Sequence, residues 1–410
     1  MRHADADGAA CGCAFRPMNG AQTPPGYRIT ILTLAAIAAM GSMAIHMLVP
    51  ALPLIADDFA IGEARAQQVV SVYLAGLAGG QLVAGPLTDR LGRRPVMLAG
   101  LVLYIMGAAA AAFAPETEWL LLARLVQAAG GACGVVTARV MVGDVFGQHR
   151  AAGVQATLMT IVLISPAIAP VIGGTIADIF GWRAVFGMLA LAGLVALIAA
   201  WLRLAETGVR GHSAAKLRNL PADYLRLARN RAFVLTTGAL SGASSGLYMF
   251  LGAAPFLLVH RYGLSSAEAG LALLVIAASS IAGTRLVVPV ERRFSALIVG
   301  TGSSATGALI ALGLALAGIE GIVPLIAPVM LMGLGAGLAG PVAFNAVAFA
   351  EDGLAATATS LAGALQMLAS GTAMTMLGLL SPLDPQRVAA ALMLATSMAF
   401  ACAIGAKRAK

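Results

Sequence analysis

Two side chains stand out because they can carry charge inside long apolar stretches. His46 lies in the run 29–52 and is the only histidine placed well inside such a run. An imidazole changes charge near pH ~6.5, so a buried one can take up and release a proton. Arg124 lies in the run 119–143. A guanidinium in hydrocarbon costs about 2.5–3.5 kcal/mol on the insertion scale, so it needs a wet cavity or partners. No carboxylate is near it in sequence, which leaves backbone carbonyls, water and Gln127 as the expected partners. Both are read as candidates for moving a proton or touching a bound compound. Each has a plainer alternative: His46 as a neutral bonding or capping residue, Arg124 as a structural tie between helices. Gln81, Gln127, Tyr248, Asn345 and Gln366 are further candidates to line a cavity, and each can instead bond a neighbouring helix. Tyr73, Tyr104 and Phe250 can stack on a flat compound, although packing or lipid contact is expected of them. All 18 Asp and Glu fall in loops or at the ends of apolar runs.

The elements that must position these groups follow from composition. The chain has 410 residues, 60% hydrophobic and only 11% charged, with mean hydropathy +0.89. A soluble domain carries about 25% charged residues, and a globule of this size cannot hide so much apolar surface. The composition excludes a soluble enzyme, a disordered chain and a nucleic-acid binder. Long unbroken apolar stretches also exclude a transmembrane barrel, whose strands alternate. A polytopic all-α membrane protein is expected.

A helix needs about 20 apolar residues to cross the hydrocarbon core. Twelve such runs occur: 29–52, 68–88, 95–114, 119–143, 151–177, 183–203, 232–259, 265–286, 294–318, 322–345, 354–380 and 387–405. One long polar interruption, 204–231, splits them six and six, as in two transmembrane bundles joined by a linker. The expected organisation is a disordered tail at 1–28, bundles at 29–203 and 232–405, the linker at 204–231 and a short tail at 406–410. The linker is basic and can lie on the inner leaflet or simply connect the bundles. If the N-terminus is cytoplasmic, only Arg65, Arg183, Arg261 and Arg387 of the 26 Lys and Arg fall outside, while Arg124 and Arg139 lie within a span. That bias places both termini in the cytoplasm of a bacterial-type inner membrane. The net charge of +8 therefore sets topology.

Other signals are silent. Cys11, Cys13, Cys133 and Cys402 show no zinc-ligand spacing and no disulfide framework. Neither a phosphate-binding lysine loop nor a zinc or serine hydrolase motif occurs, so no catalytic residue, cofactor or metal is expected. Gly335, Gly337 and Gly340 match GxGxxG but lie inside an apolar span and follow no strand, so they read as helix packing, like Gly242/Gly246 and Gly333/Gly337.

One loop is more specific than a membrane anchor requires. Gly85-Pro86-Leu87-Thr88-Asp89-Arg90-Leu91-Gly92-Arg93-Arg94 follows the second span. Its spacing resembles the signature loop of the major facilitator superfamily. Arg124-Leu-Val-Gln127-Ala128 is similar to that family's fourth-span motif, with Ala128 where the pattern has Gly. Ser165-Pro166-Ala-Ile-Ala169-Pro170-Val-Ile-Gly173-Gly174 resembles its fifth-span antiporter motif, with Ala169 for Gly. That form, together with Gly80-Gln81, Val49-Pro50 and Ala254-Pro255-Phe256, is similar to the Bcr/CflA drug-exporter branch. The resemblance covers about residues 30–400.

The resemblance implies twelve helices, alternating access and proton-driven export of antibiotics or similar small molecules. It implies that Asp89 latches onto the start of the eleventh span near Gly353 to Thr357, and that Arg93 and Arg94 join a charge network with Asp144; Arg139, about one turn before Asp144, is read into the same network from its position. The branch carries an Asp four residues before Pro50, and here that position is His46. The expected proton carrier is therefore replaced by an imidazole. A cavity with a fixed positive charge and no fixed negative one suits neutral or weakly acidic amphipathic compounds, such as amphenicol-like antibiotics. Partners are then a small-molecule substrate, protons and the lipid bilayer, with a monomeric chain. Export of a cell metabolite and a transporter-shaped sensor or scaffold remain open as alternatives.

Overall fold

A computed structural model describes residues 27–207, 220–351 and 354–409. The expected tail, up to residue 26, and the middle of the linker, 208–219, lie outside the described residues. All regular structure among the described residues is helical. Ten helical segments are long and apolar enough to cross a membrane, and Ile164–Phe180 is a shorter apolar one. With Ala355–Gly378, twelve segments match the twelve runs.

The first half contains α1 (Tyr27–His46), a 3-10 turn (Val49–Ala51), α2 (Leu52–Asp58), α3 (Glu63–Leu91), α4 (Arg93–Ala112), α5 (Thr117–Phe180) and α6 (Trp182–Arg203). A short linker helix, α7 (Leu220–Arg229), follows. The second half contains α8 (Arg231–Phe256) running into a π turn (Leu257–Arg261), α9 (Ser266–Arg285), α10 (Val287–Glu291), α11 (Ala296–Leu316), α12 (Ile322–Ala348), α13 (Ala355–Gly378) and α14 (Pro385–Arg408).

Three runs differ from the sequence reading, the first, the fourth and the fifth. The first span is not one helix. Pro50 has no N–H to give to the carbonyl four residues back, so the helix ends at His46 and restarts at Leu52. The fourth and fifth spans follow each other over 64 residues with no non-helical segment between them. A straight run of that length would be about 96 Å long. Arg183, just after its end, donates to the carbonyl of Ala114, just before its start, at 3.3 Å. The run therefore doubles back between its two apolar ends.

Close helix contact rests on small residues. A Cβ at Gly337 would sit 1.9 Å from the Ser280 carbonyl oxygen, and one at Gly333 would sit 2.5 Å from Ser279 Oγ. The backbones of α9 and α12 are thus in direct contact, as expected where lipid removes the usual hydrophobic drive and packing must hold helices together. On the loops, Arg261 donates to Glu320 at 2.5 Å, which holds that carboxyl below its usual range. Both side chains are exposed, so the pair fixes the loop only weakly.

The halves touch at the end that is poor in arginine. Gln67 Nε2 donates to the Gly252 carbonyl at 3.2 Å. Glu63 accepts from Ser381 Oγ at 3.1 Å and from the Leu383 N–H at 3.0 Å. Asp178 accepts from the N–H groups of Ser266 and Ala267 at 3.0 and 2.8 Å. Asp57 lies 3.5 Å from His260.

Gly337→Ala should lower the melting temperature of the detergent-solubilised protein, since overpacking costs about 1–3 kcal/mol. Gly340→Ala, where an added Cβ meets nothing within 4 Å, should leave it unchanged.

Candidate functional site

His46 is the last residue of α1, at the break that Pro50 imposes. Its side chain is buried. Nδ1 lies 2.8 Å from the Ser42 carbonyl oxygen, which can only accept, so Nδ1 carries the hydrogen and Nε2 keeps the lone pair. A further proton would enter at Nε2. The ring centroid lies 6.2 Å from that of Tyr248 on α8. The imidazole therefore sits where the two halves face each other.

Arg124 is fully buried on α5. Nε donates to the Val69 carbonyl at 3.1 Å, and Nη1 donates to Gln127 Oε1 at 2.7 Å. The guanidinium carbon lies 4.0 Å from the centre of the Tyr73 ring and 5.6 Å from that of Phe186. Helices α3, α5 and α6 thus enclose the cation in carbonyl and aromatic surface. Arg124 Nη2, Gln127 Nε2 and Tyr73 Oη have no hydrogen-bond partner. Among the described residues no Asp or Glu side chain is buried, so nothing neutralises the charge. Gln127 and Arg124 meet because they are three residues apart on one helix face. Tyr73 and Tyr104, expected to pack, are fully buried.

The other cavity candidates are spread out. Gln81 Oε1 lies beside Gly363, where α3 meets α13. Gln366 donates to Ser244 Oγ at 2.6 Å and so ties α13 to α8. Asn345 is exposed near the Arg-rich end of α12. In the fifth-span motif, Pro166 is half-buried and Pro170 buried inside α5. A Cβ at Gly173 would sit 1.9 Å from the Met47 carbonyl oxygen, and one at Gly174 would sit 2.2 Å from that of Ser266. These two glycines let α5 touch the broken first span on one side and the other half on the other.

The loop after α3 is built as a clamp. Thr88 Oγ1 donates to the Gly85 carbonyl at 2.6 Å. Gly92 has φ +96°, and a Cβ there would lie 2.6 Å from Glu206 Oε2. Glu206 accepts from the N–H groups of Arg93 and Arg94 at 2.8 and 3.2 Å. Arg93 Nε donates to Asp144 at 3.2 Å, and Thr207 Oγ1 donates to the same carboxylate at 3.1 Å. Arg94 reaches the Trp201 carbonyl at 2.8 Å. Arg90 is exposed.

Arg139 does not join this network. It is exposed and makes no hydrogen bond or ion pair with a described residue. It lies five residues before Asp144, and such positions point to different faces of a helix. Glu206 takes part instead. The sequence reading missed it, although an acidic residue directly after a span in a basic linker was a usable signal. The expected contact of Asp89 with residues 353–357 lies outside the described residues, since the Asp89 side chain and residue 353 are not described.

Comparison with known proteins agrees with this architecture. The family model described as Major Facilitator Superfamily matches residues 32–375. The chain is 30% identical to "Multidrug resistance protein D" of Escherichia coli over 87% of this chain and 89% of that protein. It is 28% identical to "Chloramphenicol resistance protein" of Pseudomonas aeruginosa over 81% of this chain and 79% of that one. Among solved structures, an inward-facing bacterial homologue of the human lysosomal transporter Spinster superposes with a TM-score of 0.72. That match has 16% identity and covers 95% of this chain and 96% of the other.

Glu206→Ala should release the two backbone N–H groups of the clamp. Limited proteolysis at the loop 91–94 should then speed up severalfold, while the melting temperature moves little because each exposed bond is worth about 1 kcal/mol.

Proposed function

Because the chain belongs to the Major Facilitator Superfamily and is a multi-pass bacterial membrane protein with drug-resistance relatives, we propose that it is a proton-coupled exporter of neutral or weakly acidic amphipathic compounds. Amphenicol-like antibiotics are the model substrates. Two six-helix halves, 29–203 and 232–405, rock about a shared cavity, and the linker 204–231 joins them. The protein acts as a monomer in the inner membrane with both termini cytoplasmic, the arginine-rich end facing in.

One observation carries the coupling. His46 is buried at the junction of the halves, with Nε2 free to accept a proton, and no described Asp or Glu is buried to do so instead. Proton uptake at Nε2 places a second cation in the same half as Arg124. A bound apolar compound and the protonated ring then compete for the junction, since the compound displaces the water that solvates the charge. Arg124 itself stays charged and raises the local potential. A lipophilic cation finds no counter-charge there, which is why neutral and weakly acidic compounds are preferred. The shared contacts at the arginine-poor end support a state open to the arginine-rich side.

The test uses purified protein in liposomes with a pH dye inside and an imposed pH gradient. A neutral amphenicol should drive proton movement in the wild type, and His46→Ala should lose it by at least roughly tenfold, equivalent to about 1.4 kcal/mol. Unchanged movement in His46→Ala would exclude the imidazole as carrier. Robust electrogenic transport of tetraphenylphosphonium would overturn the substrate preference. No response to any drug would shift the reading to export of a cell metabolite.

A further inference from the structure

Two of the seams along which the halves meet lie where α5 faces α9 and where α3 faces α13. Each seam ends, at the arginine-poor side, in a carboxylate of the first half that holds backbone N–H groups of the second. On one seam Asp178, in the last turn of α5, accepts from Ser266 and Ala267, the first two residues of α9, at 3.0 and 2.8 Å. On the other, Glu63, the first residue of α3, accepts from the Leu383 N–H at 3.0 Å and from Ser381 Oγ at 3.1 Å, just before α14. The two grips are independent in sequence and alike in chemistry.

The first grip is complete in a way that marks its purpose. A helix start leaves four N–H groups without partners. In α9 the Ser265–Glu268 capping box satisfies two of them: Ser265 Oγ accepts from the Glu268 N–H at 3.2 Å, and Glu268 Oε2 accepts from the Ser265 N–H at 2.8 Å. The box leaves the N–H groups of Ser266 and Ala267 to be satisfied from elsewhere. Asp178 takes the remaining pair, and its charge faces the positive end of the helix. Its reach depends on backbone contact, since a Cβ at Gly270 would lie 2.5 Å from the Pro170 carbonyl oxygen. Among the described residues no cation pairs with it. On α6, Arg183 is held by Asp58 at 2.7 Å; on the π turn, His260 faces Asp57 of α2; on α9, Glu268 is used in the box.

We propose that Asp178 and Glu63 are a paired latch that sets the equilibrium between the two access states. They are positioning residues for the transport step, separate from His46 and Arg124 and at the opposite end from the Asp89 loop. Each must let go of its N–H groups for the arginine-poor end to open. Because the partners are mainly backbone groups, the latch depends on the first half's two carboxylates and not on side-chain pairing from the second. This inference rests on the reading of the chain as a two-state transporter.

The test places a reporter in the α3–α13 seam. Ser71 is buried there, with its carbonyl oxygen 3.1 Å from where a Gly371 Cβ would be. Ser71→Cys is made with the native cysteines replaced by Ser, and reaction with a membrane-impermeant maleimide is timed from the outer side of intact cells. Asp178→Ala and Glu63→Ala should each speed labelling severalfold, and the double variant more than either. Asp178→Asn, which keeps one acceptor oxygen, should fall between wild type and Ala. Asp58→Ala breaks an ion pair within the first half alone and should leave the rate unchanged. Melting temperatures within a few degrees of wild type show that the variants are folded. Equal labelling rates in wild type and the double variant would overturn the latch, whatever the transport activity. Faster labelling without any drug-driven proton movement would keep the latch and overturn the exporter reading instead.

Discussion

Everything in this molecule depends on how closely helix backbones can approach one another. In lipid there is no gain from burying one apolar side chain against another, so association rests on packing and on polar ties. Glycine supplies the approach. A Cβ at Gly107 would lie 2.4 Å from the Gln127 backbone nitrogen, and one at Gly130 would lie 2.4 Å from the Gly100 carbonyl oxygen. That contact presses α4 against α5 at the level of Arg124 and Gln127. Gln127, which accepts from Arg124, is buried at that contact, while Tyr73 of α3 and Phe186 of α6 cover the cation from the other sides.

A buried guanidinium without a carboxylate is an unusual economy. A charge removed from water needs its donors satisfied, and here one carbonyl, one amide oxygen and two aromatic faces do so in part. The consequence is a first half with a cation in its interior and, among the described residues, no buried carboxylate beside it. His46 stands across from Tyr248 at the junction of the halves. Its place is decided by a proline, since Pro50 ends α1 at the histidine and frees the local backbone. The two ionisable groups are thus set by different devices, one by glycine packing and one by a helix break.

The ends of the bundle are built differently. At the arginine-rich end, the clamp around Glu206, Arg93 and Asp144 lies within the first half and the start of the linker. At the other end, carboxylates reach across to backbone N–H groups of the second half. Charge on one face organises a half, and charge on the other joins the halves.

Twelve apolar runs and the class of protein are legible in the sequence, because hydropathy over about 20 residues is a local property and lipid forces such runs to be helical, but where a helix breaks or continues is not. It also marked Arg124, Gln127 and His46, because a polar residue in an apolar run is conspicuous without any structure. The pairing of Arg124 with Gln127 was also legible, being three residues along one helix, but longer-range partners came only with the packed structure. Gln366 ties two helices of the second half, and Arg139 turns away from Asp144 because five residues along a helix point to another face. Glu63 and Asp178 left no such mark, since each accepts from backbone N–H of the other half, and backbone carries no sequence signal for its partner. Contacts of that kind exist only once distant segments are brought within about 3 Å of each other.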